Sequence, residues 1–122
     1  MAASSATLHE SAEQLKPETV DRHRAIVSLM EELEAVDWYD QRVDAARDDE
    51  LRAILAHNRD EEKEHAVMTL EWLRRHDPQL DRQLRTYLFG DKPILQLEAA
   101  ADAADVPDGS LGIGSLREGT AR

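Results

Sequence analysis

The chain has 122 residues, a formal net charge of −11, no cysteine and five aromatic side chains. So acidic a balance excludes nucleic acid and anionic membrane as natural partners, because both are bound through Lys and Arg that displace counterions; it suits cations instead. The missing cysteine excludes disulfides, thiolate zinc sites, Cys-ligated iron–sulfur clusters and thiol nucleophiles, so any metal must be held by His and carboxylate.

In chain order, residues 1 to about 16 are rich in Ser, Ala and Glu and read as a loosely ordered arm. Met1 to Gln14 lacks the basic and apolar regions of a signal peptide, and no apolar run could span a bilayer, so the expectation is a cytoplasmic protein. A long helix is expected to begin near Pro17, with Glu18 favoured in its first turn by the helix dipole, and to run to about Ala46. Asp48 reads as the N-cap of a second helix from Asp49, so the connection is short and the two helices fold back as an antiparallel hairpin. The second helix should end near His76, where Arg74, Arg75 and His76 suit a C-terminal turn and Pro78 cannot continue the hydrogen-bond ladder. Asp77 and Pro78 then open a short third helix ending at Phe89, with Gly90 as its stop. A linker over 91–109 contains a helical piece, Ile94 to Ala104, before Val106-Pro107-Asp108-Gly109. The tail, 110–122, opens on Ser-Leu-Gly-Ile-Gly-Ser-Leu-Arg. The fold class is all-α, with residues 17–90 as its helical domain. With so few aromatic residues its private core is thin, and association of chains is expected.

The first helix sets Ala25, Leu29, Glu32, Val36, Tyr39 and Val43 in one seam at alternating four- and three-residue spacing. The second does the same with Leu51, Leu55, Asn58, Glu62, His65, Thr69 and Trp72. Both seams carry charge in the middle, where Leu would be ordinary. With the turn centred on Arg47, equal rise along both helices places Glu32 opposite Glu62 and Leu29 opposite His65.

Two carboxylates in one seam repel and lose solvation, so they stay charged only if a cation or a basic group neutralises them. A divalent metal would do so. Glu62-Lys63-Glu64-His65 has the Glu-x-x-His spacing that puts a carboxylate and an imidazole one turn apart on one face. A ferritin-like di-iron site takes a Glu from each of two helices and a Glu-x-x-His from each of two others. This chain has one of each, half a site, which a two-fold dimer would complete. Oxygen ligands with one imidazole per metal suit Fe(II), Mn(II) or zinc better than copper(I). The plainer alternative is a charged pair on a solvated helix face, with Glu62 near Arg59. Tyr39 on the same seam is either core filling or a hydrogen-bonding neighbour of a metal ligand. Glu31, Glu34 and Trp38 form an adjoining stripe, either a solvated acidic face or a weaker cation site guiding metal inward. His57, Glu61 and Glu64 share another face, read as no more than an adventitious metal site.

The runs Glu31-Glu32-Leu33-Glu34-Ala35-Val36-Asp37-Trp38-Tyr39-Asp40 and His57-Asn58-Arg59-Asp60-Glu61-Glu62-Lys63-Glu64-His65-Ala66 resemble the encapsulated ferritins, and the resemblance extends from about Glu18 to Leu88. It implies a four-helix bundle formed by two chains and a di-iron ferroxidase centre at their interface. Glu32, Glu62 and His65 would be the ligands, with Tyr39 in contact. It further implies an accessory site for incoming metal at Glu31 and Glu34 beside Trp38, and dimers joined in an open ring, commonly a decamer. The tail resembles the peptides that dock cargo inside encapsulin shells, with Leu111, Ile113 and Leu116 as apolar anchors. The function so implied is oxidation of Fe(II) by dioxygen, with Fe(III) passing to a mineral stored in the lumen of the shell. The rivals are a non-enzymatic acidic adaptor, whose Glu and His set pairing register, and a rubrerythrin-like peroxidase, disfavoured by the absent cysteines.

Overall fold

The computed structural model describes residues 7–105, which are helical with no strand among them. They belong to two compact units that divide between His76 and Asp77. In the first unit a single 3-10 turn at Ala12–Gln14 precedes the long helices, so the arm is locally ordered here rather than loose. Its turn is closed by Gln14 N–H donating to Ser11 O and Leu15 N–H to Ala12 O.

Helix α1 spans Pro17–Ala45 and α2 spans Asp49–Arg75. At about 1.5 Å per residue they are about 44 and 40 Å long. Pro17 opens α1, where its missing N–H leaves no orphan, and Glu18 lies in the first turn. Asp48 caps α2 by accepting from Leu51 N–H at 2.8 Å, and Asp49 and Glu50 face the positive end of the dipole. Only residues 46–48 join the helices, with Arg47 in the middle, so α1 and α2 run antiparallel and in register.

The expected seam on α1 is the half-buried face: Ala25, Leu29, Glu32, Val36, Tyr39 and Val43 are all partly covered. On α2 the same holds for Leu55, Asn58, Glu62, His65 and Thr69, whereas Leu51 and Trp72 at the two ends are exposed. Trp72 instead stacks on His76, ring centroids 3.9 Å apart, while His76 Nδ1 lies 2.8 Å from the Trp72 carbonyl. Among the described residues only Ala66 and Leu73 are buried, each 4% exposed. Two helices offer each other one stripe apiece, so Ile26, Met30 and Leu33 on α1 and Ile54, Val67 and Met68 on α2 remain in water.

The second unit holds α3, Pro78–Tyr87, and α4, Ile94–Asp105, which contact each other. Asp77 caps α3 through Oδ1, accepting from Gln79 N–H and Leu80 N–H at 3.1 and 3.0 Å. The helix stops at Tyr87, two residues before the expected end, and the residue in the left-handed region is Phe89 at φ 69°, not the expected stop, Gly90. That conformation costs a side-chain-bearing residue roughly 1–2 kcal/mol. The Phe89 ring is fully exposed, so its packing returns none of this. The anchors Leu111, Ile113 and Leu116 lie outside the described residues. No helix described is long and apolar enough to cross a membrane.

Candidate metal centre

The α1–α2 register carries Glu32 from one helix and Glu62 and His65 from the other to a single point. One ligand atom from each lies within 4.8 Å of the other two, and this is the one group of three or more such donors that could hold an ion among the described residues. His65 Nδ1 stands 3.5 Å from Glu32 Oε2 and 3.4 Å from Glu62 Oε1. Glu62 and His65 meet because they are one turn apart on α2; Glu32 joins them only because the hairpin closes symmetrically about Arg47.

Electrostatically the group is short of positive charge. Contact with the Glu62 carboxylate, then burial, then repulsion from Glu62 raise the pKa of Glu32, and His65 opposes them incompletely. Partial burial works against the charged form of His65, yet its contacts with Glu62 and Glu32 outweigh this and raise its pKa as well. Glu32 Oε2 is the orphan: it is cut off from water although the side chain is 27% exposed, and it has no hydrogen-bond partner. The 3.5 Å approach of His65 is a charge contact without hydrogen-bond geometry. A buried carboxylate oxygen without a partner is costly unless a cation meets it. Two carboxylates and one imidazole are the donor set for a hard or borderline divalent ion, so the residues fit a metal.

The other expected site residues are not gathered into this group. Glu31, Glu34 and Trp38 are exposed on the outer side of α1, and His57, Glu61 and Glu64 form no three-ligand group. Tyr39 is half-buried in the seam, but its ring contact is with the Arg42 guanidinium, 5.3 Å from the centroid. The plainer alternative for Glu62 placed Arg59 beside it. The structure corrects this: Arg59 pairs with Asp40 of α1 at 3.0 Å and Asp60 at 3.1 Å. The sequence reading missed that cross-helix clasp, since Asp40 and Arg59 have no spacing relation until the hairpin forms. It also missed Glu71, bound by Arg74 and Arg75, although the three- and four-residue spacing was there to be read.

An antiparallel helical hairpin whose seam brings together Glu and Glu-x-x-His defines a ferritin-like protein. The profile of the EncFtn-like family matches residues 7–91, and the chain belongs to that family. It is 64% identical, over 96% of its length and 92% of the relative's, to the encapsulated ferritin-like protein of Rhodospirillum rubrum. It is 51% identical, over 88% of its length and 96% of the relative's, to the ferritin-like protein of Thermotoga maritima. The crystal structure of protein ne0167 from Nitrosomonas europaea, 64% identical, superposes with a TM-score of 0.70, covering 71% of this chain and 96% of that one.

Proposed function

We propose that this chain is a ferroxidase, oxidising Fe(II) to Fe(III) with dioxygen at a di-iron site shared between two copies. The observation that carries the reading is the convergence of Glu32, Glu62 and His65 around a carboxylate oxygen that is shielded from solvent and has no hydrogen-bond partner. One chain supplies half of the ligand set of a ferritin-like di-iron site, and a two-fold axis through this point supplies the rest. Pairing is supported by the uncovered apolar side chains on the flanks of the seam, Ile26, Met30 and Leu33 on α1 and Ile54 and Met68 on α2. Covering them with a second copy gives the four-helix bundle the private core is too thin to build alone. Joining dimers into a ring, with a decamer as the expected size, is part of the same reading.

Fe(II) is the substrate, and each of two ions gives up one electron to dioxygen. Glu32 and Glu62 neutralise and bridge the incoming charge. His65 can give an electron pair to a metal at Nδ1 only when that nitrogen carries no proton, so metal binding there competes with protonation. Glu31 and Glu34, beside Trp38, raise the local Fe(II) concentration on the outer face of α1, and Tyr39 flanks the ligands along the seam. The Rhodospirillum rubrum relative is described as encapsulated. By analogy the tail, through Leu111, Ile113 and Leu116, docks this chain in the lumen of a cytoplasmic encapsulin shell, where Fe(III) is stored as mineral.

The test is the initial rate of Fe(II) oxidation in air by the purified protein, beside a Glu62→Ala variant and a protein-free control. The reading expects wild type to exceed the control and the variant to fall back to it. Equal rates in all three would leave Glu62 a structural residue and the chain an acidic adaptor.

A further inference from the structure

Arg59 precedes Glu62 by three residues, a spacing at which a guanidinium and a carboxylate on one helix readily pair. In the structure they do not. Arg59 Nη1 donates to Asp40 Oδ1 across the hairpin at 3.0 Å, and its Nε donates to Asp60 Oδ1 at 3.1 Å. Asp60 is held in turn by Lys63, whose Nζ lies 3.5 Å from the same oxygen. The Arg59 and Glu62 side chains are 24% and 26% exposed, so a pair between them would be little screened by water. Such a pair would occupy the lone pairs a metal needs and cancel the charge that attracts it. Asp40 and Asp60 are 55% and 61% exposed, and ion pairs that open to water add little to stability. What the clasp does strongly is set direction: it draws the guanidinium that shares a helix face with Glu62, one turn before it, toward the turn end of the hairpin.

We propose that Asp40 and Asp60 are positioning residues that tether the Arg59 guanidinium away from Glu62, keeping the Glu32–Glu62 pair open to a metal ion. The inference rests on the metal reading given above and names the chain's own cation as the competitor for that site. Removing the tether frees Arg59 to swing one turn and pair with Glu62. Removing Arg59 as well takes away the cation that shares the Glu62 face, while Lys63, one residue from Glu62, points to another face of the helix.

The experiment is titration of the full chain with Co(II), read by visible absorption, in about 1 M salt, where a Debye length of about 3 Å silences long-range attraction. Wild type is compared with Glu62→Ala, Arg59→Gln, Asp40→Asn/Asp60→Asn, and the last pair combined with Arg59→Gln, all matched for helicity by circular dichroism. The tether expects Asp40→Asn/Asp60→Asn to bind about tenfold more weakly, the equivalent of one charge-assisted hydrogen bond. It expects Arg59→Gln to restore wild-type affinity in that background and to change nothing alone. The proposal is overturned if Asp40→Asn/Asp60→Asn binds as wild type does, or if its loss persists without Arg59. A wild type that binds no more tightly than Glu62→Ala overturns the metal reading itself, an outcome separate from both.

Discussion

Glu32 and Glu71 lie in the same helical hairpin, both partly covered, yet their carboxylates are pushed in opposite directions. Glu71 accepts from Arg74 Nε at 2.8 Å and Nη2 at 2.7 Å, and from Arg75 Nε at 2.6 Å. Held first by Arg74 and then by Arg75, its pKa falls to about 2. Glu32 has one carboxylate and one imidazole for company, and its pKa is raised. The first is a completed charge group that asks nothing of its surroundings, while the second lacks a cation. Residue type is shared and Glu32 is the more covered of the two, at 27% against 40% exposed, but what chiefly separates a structural carboxylate from a candidate ligand is the sign of the charges that face it.

The comparison is broken most severely by Glu62→Gln. This change should bring Fe(II) oxidation down to the protein-free rate and, because it removes the repulsion on Glu32, raise the melting temperature of the metal-free protein. Activity lost together with stability would mean that Glu62 is part of the packing instead. Next in size is metal linkage. A divalent ion at a hundred times its dissociation constant should stabilise wild type by about 2.7 kcal/mol, seen as a rise in denaturant midpoint that disappears in Glu62→Gln.

A pH titration of stability in chelator separates the two carboxylates by sign. The folded pKa of Glu71 is depressed, so its contribution is present above the ordinary value of 4.5 and is lost as pH falls toward about 2. The folded pKa of Glu32 is raised, so its protonated form favours the fold and stability declines as pH climbs from 4.5 through the folded value. Melting curves of Glu71→Gln should flatten the acid limb alone, and those of Glu32→Gln the limb above 4.5 alone. The smallest effect is expected for Glu71→Gln on chemistry: Fe(II) oxidation should match wild type, and a large loss would show that the two regions are coupled.

Much of this was legible in the residues, for reasons that are local. Pro17, Asp48, Asp77 and Pro78 mark helix starts through capping and a fixed φ, and the two seams follow from helical period alone. The third helix was read two residues too long, because the left-handed turn fell on Phe89 beside a glycine that could have adopted it freely. Trp72 had the period of the seam, but at the end of α2 the facing helix offers no cover, and it stacks on His76 instead.

By itself the sequence determined that the chain is acidic and all-helical, that any metal must take His and carboxylate, and that Glu62 and His65 share a face, since each depends only on composition or on contacts within one helix. Only the tertiary structure decided that Glu32 Oε2 would be shielded from solvent without a hydrogen-bond partner and that Arg59 would reach Asp40 rather than Glu62. Those outcomes depend on where two helices touch. A long side chain one turn from an acceptor on its own helix has a rival across the hairpin only once the second helix presents one.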